Sequence, residues 1–124
     1  MPRRSFVDSF RDAFAGLGHV LRTQRNARIE LAVALAVVLL GLWLRLPARD
    51  WTVLWLTIGV VLAAEIINTV VEAMVDLVSP EYHARAKHAK DAAAGAVLVL
   101  AVTAVLVGLS ILGPPLWERL IVLR

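Results

Sequence analysis

Ala64-Glu65-Ile66-Ile67-Asn68-Thr69-Val70-Val71-Glu72-Ala73-Met74-Val75-Asp76 closes an apolar run that begins at Trp51. On an α-helix, offsets of three, seven and eleven residues bring Asn68, Glu72 and Asp76 to within about 60° of Glu65. The result is a polar stripe on a helix otherwise suited to lipid. An ionisable group at bilayer depth costs about 2.5–3.5 kcal/mol on insertion scales, so a carboxylate there marks a functional site by default. Two glutamates on one stripe strengthen that reading.

The composition agrees with a lipid setting. Of 124 residues, 60% are hydrophobic, and the mean hydropathy is +0.76; soluble domains hold roughly 45–50% apolar residues. A chain of this length makes one domain, residues 1–124, and three apolar helices enclose little interior, so self-association is expected. The absence of cysteine excludes disulfides and thiolate sites. A net charge of +3 does not imply a nucleic-acid partner, because the basic residues follow membrane topology.

Outward from the stripe, the chain divides into an all-α integral membrane arrangement. Residues 5–24 read as an amphipathic surface helix: Phe6, Phe10, Phe14, Leu17 and Leu21 repeat on one side, while Arg3, Arg4, Asp8, Arg11, Asp12 and Arg22 fall mostly on others. A first span is expected over about 29–46, and Pro47 in Leu46-Pro47-Ala48-Arg49-Asp50 forces a tight connection. Trp51 and Trp55 open a second span at interface depth, running to about residue 78. At roughly 42 Å it outruns a 30 Å hydrocarbon core, so its polar end projects toward water. Residues 79–90 read as a charged loop after Ser79-Pro80. A third span covers about 91–112, stopped by Gly113-Pro114-Pro115, and 113–124 form a tail carrying Trp117.

Charge sets the orientation. Arg3, Arg4, Arg11, Arg22, Arg25 and Arg28 precede the first span, and Arg85, Lys87 and Lys90 lie between the second and third. Only Arg45, Arg49, Arg119 and Arg124 lie on the other side. The positive-inside rule therefore puts the N terminus and the 79–90 loop in the cytoplasm. Glu72, Asp76, the loop and the surface helix all meet at that face.

The meeting suits phosphoryl transfer, which depends on positioning and charge neutralisation. Glu65 lies deeper and Glu72 about 10 Å along the helix toward water. A carboxylate withdrawn from water suits a general base acting on a lipid hydroxyl. One near the interface suits Mg²⁺, which binds through one or two carboxylates plus substrate phosphates. Lys90 can neutralise phosphate charge. Asn68 taken alone is equally a polar contact between helices, and Asp76 equally a solvated helix end. His83 and His88 are five apart and do not share a helix face, so no zinc pair is expected.

Glu65-x-x-Asn68-x-x-x-Glu72-x-x-x-Asp76, then Glu81-Tyr82-His83, then Ala89-Lys90-Asp91-Ala92-Ala93-Ala94-Gly95-Ala96-Val97, resemble the prokaryotic diacylglycerol kinase and undecaprenol kinase family in order and spacing, from about residue 10 to 112. The resemblance implies a homotrimer of three-span subunits in the bacterial inner membrane, with active sites between neighbouring subunits. It implies transfer of the γ-phosphate of ATP to a lipid alcohol. Glu65 is then the catalytic base, Asn68 a positioning group and Glu72 a Mg²⁺ ligand, while Glu81, Tyr82, His83, Lys90 and Asp91 contact ATP. The Arg-Asn-x-Arg-Ile stretch and the run from Lys90 are similar to the branch that uses undecaprenol, which favours that acceptor over diacylglycerol.

One departure stands out. Where the family carries a second Mg²⁺ carboxylate before the first span, this chain reads Gln24-Arg25-Asn26-Ala27-Arg28-Ile29-Glu30. Gln24 offers a carbonyl oxygen without charge, and Glu30 is the nearby substitute. The competing class is a small oligomeric transporter or proton-translocating subunit in which Glu65 alternates between protonation states. Such a protein has no need of Glu72, Glu81-Tyr82-His83 and Lys90-Asp91 on one side.

Overall fold

The computed structural model describes residues 5–122. Arg3, Arg4 and Arg124, which entered the charge asymmetry, lie outside them. The described residues form α1 (Phe6–Thr23), α2 (Arg25–Leu44), α3 (Ala48–Val78) and α4 (Ala84–Val122). The last three are each long and apolar enough to cross a membrane.

α1 starts where Ser5 Oγ accepts a hydrogen bond from the Val7 N–H at 3.3 Å, with Asp8 in its first turn and Arg22 in its last. Both charges complement the helix dipole. Phe6, Phe10, Phe14, Leu17 and Leu21 are exposed. Gln24, in extended backbone, makes the elbow into α2. Arg28 fixes that elbow: its Nη1 donates to the carbonyls of Leu21 and Arg22, at 3.3 and 3.0 Å, satisfying acceptors that the end of α1 leaves without helical partners.

α2 and α3 are joined by a tight reversal. Arg45 takes a left-handed backbone (φ 57°, ψ 49°), its N–H donates to the Leu42 carbonyl at 3.1 Å, and the Leu46 N–H donates to the Gly41 carbonyl at 3.2 Å. This pair of bonds is a Schellman closure, a role usually given to glycine; a side chain at positive φ costs on the order of 1 kcal/mol. Pro47 then precedes α3 in extended backbone. Leu44, Leu46, Leu54 and Leu112 form a buried cluster at this end, with Val37, Leu40, Trp51 and Leu116 packed against it.

α3 and α4 share the most extensive helix contact. Two expectations for α4 are corrected here. The charged 79–90 segment is mostly helix, because α4 begins at Ala84. His83 starts it, accepting the Arg85 N–H at Nδ1 (3.2 Å), and the alanines and the Lys87–Asp91 pair one turn apart favour helix over loop. At the other end the helix does not stop at Gly113-Pro114-Pro115 but continues to Val122. Packing overrides the local rule: Leu116 joins the leucine cluster, and the Arg119 guanidinium lies 5.5 Å over the Trp43 ring. The tail is therefore an extension of the third span.

Close approach at the hairpin is testable. A Cβ on Gly41 would sit 3.0 Å from the Trp51 ring and 3.1 Å from Leu46 Cδ1, so Gly41→Val is expected to lower stability by about 1–3 kcal/mol. Gly108→Ala, whose Cβ meets nothing within 4 Å, is expected to stay within about 0.5 kcal/mol. Unfolding curves of the two variants in one detergent compare them directly.

Candidate active site

The stripe on α3 is graded from dry to wet. Glu65 is 2% exposed and Asn68 8%, Glu72 is half-buried, and Asp76 is exposed. The helical repeat places all four toward one side, while Ile67, Val70 and Met74 point outward. Thr69 Oγ1 is used locally, donating to the Glu65 carbonyl at 3.0 Å.

Asn68 Nδ2 donates to Glu72 Oε1 at 3.2 Å. Glu65 Oε2, Asn68 Oδ1 and Glu30 Oε2 are buried without a hydrogen-bond partner. Three acceptors without donors are expensive to keep, since burying polar groups unpaired costs several kcal/mol in hydrocarbon. They are the oxygens a hydroxyl proton or a cation would satisfy. Glu65 is near enough to Glu72 for their charges to interact, and Glu30 to Glu65. α2 thus brings Glu30 into the cluster from a second helix. Gln24 stays at the α1–α2 elbow, where its N–H donates to the Val20 carbonyl at 2.8 Å.

At the wet end the stripe is bridged to α4. Lys90 Nζ donates to Asp76 Oδ1, and Lys87 Nζ donates to Asp91 Oδ2. Lys90 and Asp91 are therefore engaged rather than free. Glu81, Tyr82 and His83 are exposed in the short link between α3 and α4, where Ser79 Oγ donates to the Glu81 carbonyl at 3.2 Å. A crevice of about 390 Å³ lies at this end on the side of α3 away from the stripe, between Met74, Val75 and Val78 of α3 and His83, Arg85 and Ala86 beside it. The Asp76–Lys90 bridge and the Arg28 clamp escaped sequence reasoning. The first joins residues fourteen apart, and the second satisfies carbonyls that no side-chain pattern reveals.

A second cavity, of about 500 Å³, runs between α2, α3 and α4 from Glu30 past Val33, Val61 and Gly108 to Leu54 and Leu112. Its lining is almost wholly apolar. The arrangement therefore offers a dry carboxylate cluster, an apolar cavity reaching it from the hairpin side, and exposed charged groups around the α3–α4 link on the other.

Among the described residues, no group of three or more histidine, cysteine or acidic side chains is placed to hold a metal alone. Mg²⁺ does not require one, since it commonly takes one or two carboxylates and completes its shell with phosphate and water. Glu72, Glu30 and the unpartnered Asn68 Oδ1 are hard oxygen donors of the right kind.

Residues 11–112 match the family model for prokaryotic diacylglycerol kinase. The undecaprenol kinase of Bacillus subtilis strain 168 is 41% identical over 111 residues, covering 90% of each chain. The diacylglycerol kinase of Synechocystis sp. is 46% identical over 114 residues, which is 91% of this chain and 65% of that one. The diacylglycerol kinase of Escherichia coli K12 is 38% identical over 76 residues, 61% of this chain and 62% of that one.

The bridge between α3 and α4 is a partly exposed ion pair, which limits its contribution to stability. In a double-mutant cycle of Asp76→Asn and Lys90→Gln, followed by unfolding in mixed micelles, the coupling energy is expected to be about 0.2–1 kcal/mol.

Proposed function

The chain belongs to the prokaryotic diacylglycerol kinase family, and from that membership we propose how its residues phosphorylate a membrane lipid alcohol. It is an ATP-dependent lipid kinase, with ATP as co-substrate. The observation that carries the mechanism is Glu65: buried at 2% exposure, with one carboxylate oxygen unpartnered.

Glu65 Oε2 accepts the proton of the lipid hydroxyl. The hydroxyl oxygen attacks the γ-phosphorus of ATP, the bond from that phosphorus to the bridging oxygen breaks, and ADP leaves with its electron pair. Asn68 positions the reacting groups, holding Glu72 through its amide while its own oxygen stays available. Glu72 would hold Mg²⁺, with Glu30 supplying the carboxylate that Gln24 lacks. When bound, the ion supplies charge neutralisation for the phosphates. Support for Glu30 in that place is its unpartnered oxygen and its charge interaction with Glu65. Lys90 exchanges Asp76 for phosphate oxygens, and Glu81, Tyr82, His83 and Asp91 contact the nucleotide at the α3–α4 link.

The lipid chain occupies the apolar cavity below Glu30, which places its hydroxyl at the carboxylates. Undecaprenol is the favoured acceptor, supported by a relative of that name matching over 90% of both chains. α1 lies in the membrane surface with its phenylalanines toward lipid. The N terminus and the α3–α4 link face the cytoplasm, by the distribution of arginine and lysine. Three copies assemble, each site completed by its neighbour. Proton translocation through Glu65 leaves the charged groups of the α3–α4 link and the family membership unexplained.

Transfer of labelled γ-phosphate to undecaprenol and to diacylglycerol, each in Mg²⁺-containing mixed micelles, tests the proposal. The wild type is expected to label undecaprenol more, and Glu65→Gln to reduce labelling by about 10²–10⁴-fold. Retained activity in Glu65→Gln would remove the base. At limiting Mg²⁺, Gln24→Glu is expected to raise activity and Glu30→Gln to lower it. An unchanged Mg²⁺ dependence in both would remove the metal assignment.

A further inference from the structure

All four tryptophans, Trp43, Trp51, Trp55 and Trp117, lie at the hairpin end of the molecule. Trp51 and Trp55 stack with centroids 5.7 Å apart, and Trp43, Trp55 and Trp117 are about half exposed or more. Tryptophan at a span end sits at headgroup depth. Three arginines share that level. Arg119 lies over Trp43, Arg45 occupies the left-handed turn residue and is exposed, and Arg49 is 88% exposed with only its Nε near Asp50, at 3.5 Å.

Two features make these arginines more than ordinary flanks. Arg45 stands where glycine would relieve the backbone, so the turn retains a cation against its own conformational preference. The α4 extension that carries Arg119 and Trp117 lies beyond the family match, which ends at residue 112, yet it is docked by Leu116 and by the Arg119–Trp43 contact. Held over the Trp43 ring of α2, the Arg119 guanidinium brings a planar fork of N–H donors that suits a phosphodiester oxygen.

We propose that the hairpin turn and the α4 extension form a binding site for anionic phospholipid headgroups, with Arg45, Arg49 and Arg119 on the phosphate and the tryptophans beside the glycerol region. Asp50 and Glu118, the acidic residues of this end, leave the described cluster one positive charge in excess. The site lies at the opposite end of the spans from the carboxylate cluster, and it rests on the spanning arrangement alone, not on the kinase mechanism or the orientation.

The tryptophans themselves report the test. The full chain is reconstituted in phosphatidylcholine vesicles doped with brominated phosphatidylglycerol, or with an equal amount of brominated phosphatidylcholine, and fluorescence quenching is compared. Each engaged arginine enriches the anionic lipid on the order of five-fold at low salt, so quenching is expected to be markedly stronger with the anionic quencher and to lose that preference at high salt. The combined Arg45→Gln, Arg49→Gln and Arg119→Gln variant should quench equally with both lipids, and Arg119→Lys should keep much of the preference. Helicity by circular dichroism, unchanged in the variants, separates lost binding from lost folding. Equal quenching of the wild type by both lipids, or a preference that survives in the triple variant, would overturn the proposal.

Discussion

A carboxylate taken out of water must find a partner, and an apolar helix offers it none. Glu65 stands under that constraint on α3, with one oxygen unpartnered. The polar groups of that half of the bundle are arranged around it. Asn68 engages Glu72 and keeps its own oxygen free, Glu30 approaches from α2, and Asp76 hands the stripe over to α4 through Lys90. The gradient from buried Glu65 to exposed Asp76 spreads a cost that one fully buried pair would concentrate.

Close packing and open space meet at the hairpin end of the molecule. At the hairpin end, leucines, a Schellman closure and a tryptophan ring over Gly41 pack tightly. From that cluster an apolar cavity runs between α2, α3 and α4 to Glu30. Small side chains leave it unfilled, since Val33, Ala34, Ala101, Ala104 and Gly108 line it. Leu98, Val102, Val105, Leu106 and Leu109 remain exposed along α4, surface that lipid or further copies of the chain would cover.

Some of this was legible in the residues themselves. Apolar runs of span length mark α2 and α3, and helical spacing of Glu65, Asn68 and Glu72 puts them on one face before any packing is known. The burial of Glu65 and Asn68 agrees with that spacing. The ends of α4 were not legible, because charge density does not separate a solvated helical turn from a loop. A Pro-Pro pair reads as a stop until Leu116 and Arg119 are seen docked on α2 and the hairpin. Nor could the sequence decide between Gln24 and Glu30. That choice depends on the elbow between α1 and α2, which Arg28 sets by reaching back to carbonyls six and seven residues earlier.

His83 holds the first turn of α4 by accepting the Arg85 N–H at Nδ1. A ring nitrogen that accepts carries no hydrogen, so the neutral imidazole is fixed as the tautomer with its proton on Nε2. With Nδ1 taken up by the backbone of α4, Nε2 is the ring nitrogen left for a second partner at the crevice edge, so the same side chain starts the helix and offers a contact beside it.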